Sequence, residues 1–395
     1  MTVSGPSPRA QRSAGARGRA DRAGAPGAGA PGAIMIGLGS PSAAEDGRIA
    51  FGGECRVGER AFWVGTYTGA AGGGAGIYRV ARRADGTLRA AELAAEAVCP
   101  SYLAVHPTEK VLYAVREEDR GGVAAYEAAG PRLREIGALE AGALPCHLSV
   151  SPDGGRLLVA DYGSGTVRAY PLGPGGGLAG DPDVVGGHGG GPRADRQEGP
   201  HAHMTVHAPD GTILTTDLGA DLVRSFRVEG GALRLTGETA LPAGCGPRHL
   251  AVHPSGHVHV LAELAASVLV LRPAGGYAGL EVVAESPATA GPAGGAAQGA
   301  AIKLGDGGRY VYTSMRGTDV VTAHRVLDGG AALAPVADVP SGGHWPRDLH
   351  VDGEWMHVAN ERSDAIATFR IGPDGVPVPA GPPLRVPSPV CVIPG

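Results

Sequence analysis

Pro145-Cys-His-Leu-Ser-Val-Ser-Pro-Asp-Gly154, followed by Arg156-Leu-Leu-Val-Ala-Asp161 and Thr166-Val-Arg-Ala-Tyr170, is a phrase that this chain repeats. It returns at Pro200 to Gly211, Ile213 to Asp217 and Leu222 to Val228. It returns again at Pro247 to Gly256, Val258 to Glu263 and Ser267 to Leu271, and at Pro346 to Gly353, Trp355 to Asn360 and Ala365 to Ile371. Further copies begin at Pro100 and near Gln298. Unit starts lie roughly 50 residues apart, the period of propeller blades.

Each unit holds three short β-rich runs and a variable fourth, such as Leu133 to Leu139 or Leu233 to Leu241. Short runs bounded by Gly, Pro and Asp read as strands with turns between them. Four strands repeated radially is the propeller plan. Six units are complete after residue 100. A seventh opens with Phe62-Trp-Val-Gly-Thr-Tyr67 and Ile77-Tyr-Arg-Val80 but lacks the Pro-led strand, which Pro387-Ser-Pro-Val-Cys-Val392 can supply. The expected fold is all-β: a seven-bladed β-propeller of four-stranded antiparallel blades, its ring closed by the C-terminal strand so that no sheet edge is left open at the join. The Pro-Asp-Gly and Pro-Ser-Gly turns need no reading beyond hairpin chemistry.

Composition agrees. Gly at 68 and Pro at 33 call for many tight turns and few long helices. Aromatics are only 4% of the chain, so the core must rest on Val, Leu, Ile and Ala. A net charge of −5 gives no basic footprint for nucleic acid. No run approaches the ~18 apolar residues of a membrane span. Cys55, Cys99, Cys146, Cys245 and Cys391 are scattered without a C-x-x-C spacing, which argues against a disulfide framework and a structural zinc site. A cytoplasmic monomer is expected. Residues 1–55 are rich in Ala, Gly, Pro and Arg and read as a disordered extension, or an over-extended start, because they offer too little apolar surface to offset ordering. Residues 56–395 form the propeller domain.

The interest lies where the copies differ. The residue that opens a unit's first strand should lie beside the one that closes its second. Those positions read Cys146 with Asp161, His201 and His203 with Asp217, Arg248 with Glu263, Gly299 with Arg316, and Arg347 with Asn360, while Arg116-Glu117 closes the unit from Pro100. Inner strands of a propeller start near the channel on one face, so these residues should converge on one pocket, a default candidate site. Arg248 with Glu263 also reads as a structural ion pair, and Asp161 and Asp217 as turn caps rather than catalysts. His249, His253, His257 and His259 read as packing or solvent-facing positions. His201 and His203 alternate on a strand and could share a metal, with Glu263 as a further ligand, but no ligand set of convincing spacing appears. Neither a metal nor another cofactor is expected.

At these residues the chain resembles the lactonase family of seven-bladed propellers, which includes bacterial propeller 6-phosphogluconolactonases and the fungal carboxy-cis,cis-muconate cyclase. The landmarks are Gly65-Thr-Tyr-Thr68, Gln197-Glu-Gly-Pro-His-Ala-His203, Asp217-Leu-Gly-Ala-Asp221, Gly246-Pro-Arg-His249, Ser314-Met-Arg-Gly317 and Pro389-Val-Cys391, within residues 61 to 395. The resemblance implies His203, Arg248, Glu263 and Arg316 as catalytic residues. Around them, His201, Arg347, Asp217 and Arg116 are the candidates for substrate contact. Met315, Thr318 and Asp348 depart from the residues usual in the family, all at the pocket rim.

The chemistry expected is hydrolysis of an anionic sugar-acid lactone, 6-phospho-D-glucono-1,5-lactone above all. A cyclic ester needs an activated water and a stabilised oxyanion. Glu263, the one carboxylate of the four, is assigned as general base. Arg248 and Arg316 would hold negative charge, and His203 would protonate or orient the lactone. A muconate-type cyclase and a non-catalytic binding platform are the competing readings.

Overall fold

The computed structural model describes residues 60–395 apart from residue 296. The expected N-terminal extension and Cys55 lie outside the described residues. The described chain forms seven antiparallel sheets arranged as consecutive blades. Blade 1 holds Arg60–Thr66, Gly76–Arg82 and Leu88–Glu96, and its innermost strand is Pro389–Pro394. The innermost strands of blades 2 to 7 are Leu103–Val105, Pro145–Val150, Ala202–His207, Pro247–Val252, Gln298–Leu304 and Pro346–Asp352. Second strands run Val111–Arg116, Arg156–Asp161, Ile213–Asp217, Val258–Ala262, Tyr310–Arg316 and Trp355–Asn360. The seven-bladed fold expected from the repeat is the fold observed.

Closure follows the expected route. Pro389–Pro394 pairs antiparallel with Arg60–Thr66, setting Trp63 opposite Ile393 and Val64 opposite Val392. Val390, Cys391 and Val392 are buried by this pairing. Between blades the core is aliphatic, as the shortage of aromatics requires. Leu214, Val223, Leu250, Val260 and Leu269 pack between blades 4 and 5, and Val115, Leu148, Leu157 and Val159 between blades 2 and 3. Second strands are buried on both faces, as in Val258–Ala262, whereas outer strands such as Leu280–Pro287 meet solvent. Cys99, Cys146, Cys245 and Cys391 are all free thiols. Among the described residues no helix is long and apolar enough to cross a membrane.

One local device recurs where the inner strands begin. The residue before the leading proline is left-handed at Ser388, Cys99, Leu144, Gly246 and Trp345, with φ from 40° to 64°. Such a backbone is uncommon outside glycine; at Gly246 a Cβ would also lie 2.5 Å from Leu264 Cγ. The residue after the proline is a β-bulge. Pro145 pairs with Asp161 and His147 with Ala160, leaving Cys146 unopposed. His203, Arg248 and Arg347 are skipped in the same way, as is Val390 in the closing strand. A bulge frees its residue from the ladder and re-aims the side chain.

Hydrogen bonds fix this device from both sides. The left-handed carbonyls of Ser388, Cys99, Leu144, Gly246 and Trp345 accept from the amides of Tyr67, Glu117, Tyr162, Glu263 and Glu361, at 2.8 to 3.1 Å. Each donor is the first residue past a second strand. Turn aspartates tie one blade to the next: Oδ1 of Asp221, Asp319 and Asp364 accepts from the amides of Gly246, Trp345 and Ser388, at 2.8, 2.8 and 2.9 Å.

Candidate active site

The bulges and the residues just past the second strands face each other across the mouth of the channel. They enclose a narrow, polar cleft. It is lined by Ser101, Cys146, His203, Arg248, Arg347 and Val390, together with Glu117, Tyr102, His249 and Asp348. Ser101 follows Pro100 as the bulge residues follow theirs.

Beside the cleft is a buried charge cluster. Glu263 is 1% exposed. Arg248 Nη1 donates to its Oε2 at 3.0 Å, Arg316 Nη2 approaches Oε2 at 2.8 Å, and Arg196 Nη2 donates to Oε1 at 2.6 Å. Burial pushes the Glu263 carboxyl up, but Arg316, Arg248 and Arg196 together outweigh burial and hold it well below the usual carboxylate range. A carboxylate so strongly stabilised is a poor proton acceptor, and Glu263 is not part of the cleft wall. In this arrangement Glu263 anchors three guanidiniums.

Arg248 is the pivot. Its Nε donates to the Ala300 carbonyl at 2.8 Å, and Nη1 serves both Glu263 and His203 Nε2, the latter at 2.6 Å. Among the described residues Nη2 has no hydrogen-bond partner. Burial first, and then the Arg248 charge, holds the His203 imidazole well below its ordinary value, so the ring is neutral at pH 7. Cys146 Sγ lies 3.8 Å from its Nδ1, and burial pushes that thiol up, making it a poor nucleophile. Across the cleft, the Arg347 guanidinium stacks 4.9 Å over the Tyr67 ring and reaches Glu361 at 3.4 Å, while Tyr67 donates to Glu117 at 3.0 Å.

Of the eight residues expected at the site, His203, Arg248 and Arg347 stand in the cleft wall, and Glu263 and Arg316 lie directly behind it. Arg316 also faces the Trp345 ring at 5.6 Å. His201 sits beside them but is turned away, stacked on Tyr162 at 4.4 Å and bonded to the Tyr162 carbonyl and Glu198. It shares no metal position with His203, whose Nε2 is held by Arg248. Asp217 is not in the cleft; it accepts from the His201 and Ala220 amides and pairs with Arg224, as a turn cap does. Arg116 is exposed and bonds the Arg120 carbonyl outside the cleft. Neither Asp217 nor Arg116 lines the cleft in this structure.

Sequence reading missed Arg196, Glu117, Tyr67 and His249. For Glu117 the reason is a one-residue offset: it lines the cleft from one position past the second strand, and a slip of one reverses the face. Arg196 comes from the loop linking blades 3 and 4. Gln197 beside it is buried and donates to Leu218 O and Asp221 Oδ1, at 2.9 and 2.8 Å, which aims Arg196 at Glu263. Its only sequence signal was its place next to the Gln197-Glu-Gly-Pro-His landmark.

Residues 61–394 match the family model described as lactonase, 7-bladed beta-propeller. The chain is 32% identical over 343 residues to the 6-phosphogluconolactonase of Bacillus subtilis, covering 84% of this chain and 97% of that protein. It is similar to the solved periplasmic gluconolactonase of Pseudomonas aeruginosa, with a TM-score of 0.78 and 27% identity over 85% of this chain and 99% of that one. A solved Lactobacillus plantarum protein gives a TM-score of 0.79 and 28% identity, over 85% and 98% of the two chains.

Proposed function

The chain belongs to the seven-bladed β-propeller lactonase family and is a lactonase, and we propose that it opens a sugar-acid lactone, 6-phospho-D-glucono-1,5-lactone first among them, as in the pentose phosphate pathway. The observation that carries the reading is the pairing, in one cleft, of a neutral imidazole with a guanidinium that has one amino group free: His203 and Arg248.

In this mechanism the lactone carbonyl faces Arg248 Nη2. A water attacks the carbonyl carbon and His203 Nε2 takes its proton, once the guanidinium is drawn toward the substrate. A neutral imidazole is free to accept a proton, although burial and the Arg248 charge lower its basicity until the guanidinium moves away. Arg248 stabilises the oxyanion, a task for a pre-aimed charged donor in a water-poor site. The ring C–O bond then breaks, and the proton on His203 passes to the departing alkoxide, leaving the open hydroxy acid. Glu263 and Arg316 keep Arg248 aimed. Arg347 at the opposite wall is the partner for a phosphate or carboxylate.

Glu117, a carboxylate in the cleft wall, is the alternative base. A His203→Asn variant that keeps its rate while Glu117→Gln loses it would select Glu117. The substrate is tested by following acid release from phosphorylated and unphosphorylated gluconolactone side by side. The reading expects opening faster than the spontaneous rate, with higher kcat/KM for the phosphorylated lactone. The reverse preference assigns gluconolactone itself, and acceleration of neither removes sugar-acid lactones from consideration.

A further inference from the structure

Three further side chains of the cleft, Ser101, His249 and Asp348, carry polar atoms that the protein leaves open or only ion-paired. Among the described residues Ser101 Oγ and His249 Nδ1 have no hydrogen-bond partner, and Asp348 Oδ1 has only its ion pair with Lys303. Their residues are 4%, 2% and 1% exposed, and all three line the same cleft. Asp348 Oδ2 accepts from the Val392 amide at 3.1 Å, which fixes the carboxylate, and Oδ1 lies 3.5 Å from Lys303 Nζ, a Coulombic neighbour at the limit of bonding distance. The His249 ring is held edge-on to His203 and His147, at 5.4 and 5.7 Å. Buried polar groups are normally satisfied, and those that are not call for an explanation. Two such atoms beside a fixed carboxylate in one cleft point to a ligand.

The chemistry of the three selects that ligand. A carboxylate oxygen only accepts, a serine hydroxyl donates and accepts, and an imidazole does one at each nitrogen. Alcohol hydroxyls, each a donor and an acceptor, answer all three. A phosphate or carboxylate set on this floor would meet the Asp348 charge, whereas Arg248 and Arg347 on the walls attract it. We propose that Ser101, His249 and Asp348 form a hydroxyl-binding floor that selects polyhydroxylated lactone rings over plain lactones and over diacids. The inference rests on the lactone reading above.

The test compares D-glucono-1,5-lactone with δ-valerolactone, the same ring size without hydroxyls, on the intact protein and on Ser101→Ala and His249→Phe. A site built to bond hydroxyls rejects an analogue that lacks them. The ratio of kcat/KM for the two lactones should therefore fall about tenfold or more in each variant, chiefly through KM for gluconolactone. A ratio within about twofold of wild type, with both lactones losing equally or neither losing, overturns the floor and leaves those atoms to ordered water. Melting curves accompany both variants; should His249→Phe fail to fold, Ser101→Ala, which removes one oxygen atom, decides. If the wild-type protein opens neither of these lactones nor the phosphorylated gluconolactone, the lactone reading fails by itself, and the floor is judged by calorimetry with gluconate. Weaker binding by Ser101→Ala then supports the floor, and equal affinity or no binding at all overturns it.

Discussion

Nη1 of Arg248 lies 2.6 Å from Nε2 of His203, so the imidazole accepts from the guanidinium and carries its own proton on Nδ1. The same nitrogen donates to Glu263 at 3.0 Å. One guanidinium thus fixes the tautomer of the proposed base and is fixed in turn by a carboxylate. The residues of this cluster act as a unit, and their substitutions should not be additive.

Arg248→Lys is expected to lower kcat/KM by roughly 10² or more, because an ammonium cannot bond Ala300 O, His203 and Glu263 while also meeting an oxyanion. Steady-state kinetics on lactone opening measure it. A loss under about threefold would mean that positive charge alone suffices and that the fork is unimportant.

Glu263→Gln separates an anchor from a base. Removing the charge leaves Arg196, Arg248 and Arg316 without their shared counter-ion, and breaking a buried pair typically costs about 3–5 kcal/mol. The variant should therefore melt several degrees lower and also turn over more slowly. An unchanged melt with turnover lost would return Glu263 to the role of general base.

Acid should weaken the fold earlier than carboxylate titration alone would. Burial is the first cause that holds His147, His203 and His249 well below the ordinary imidazole value, and it holds His259 and His324 at about 4 and His357 at about 3. Unfolded, each titrates near pH ~6.5. Between those values the unfolded chain binds more protons, so stability falls as pH falls. The contribution is whole above pH ~7 and drains away from ~6.5 downward, by up to about 1.4 kcal/mol per pH unit for each histidine. Glu263, also depressed, adds a second loss below pH ~4.5. Melting temperatures from pH ~8 to ~5 check this, and a flat profile contradicts it.

Removal of residues 389–395 should prevent a stable fold. Val390, Cys391 and Val392 are buried, and without them Arg60–Thr66 presents a bare inner edge. Aggregation or a lost cooperative melt is expected in calorimetry. A sharp, wild-type melt would show that six blades and a partial seventh suffice.

The blades were legible in the sequence because each repeats the same turn chemistry and the same apolar runs. Closure by Pro389–Pro394 was legible because the first unit lacked its Pro-led strand. The convergence of His203, Arg248, Glu263 and Arg316 was legible, since the repeat sets them at matching positions and they lie in contact. Arg116 was read in place of Glu117 because the exact end of a strand is invisible in apolar periodicity, and one residue reverses the face. Asp217 was drawn in because a turn cap and a ligand contact call for the same residue type. His249 was set aside as packing, since nothing in a repeat marks the bulge that turns it and Arg248 toward one cleft. Arg196 depends on a long-range arrangement of an irregular loop, for which the repeat holds no counterpart.

That bulge has a consequence for anyone redesigning the protein. A regular strand sends neighbouring side chains to opposite faces, yet Arg248 and His249 both reach the cleft, as do Arg347 and Asp348. A mutagenesis library built on such adjacent codons would vary wall and floor together, blade by blade, without touching the ladder beneath. Deleting one of those codons is a different act. Without the extra residue the ladder closes up, the strand shifts by one register step, and every side chain beyond the deletion changes face. In these inner strands a substitution edits the pocket, whereas a single-codon deletion erases it.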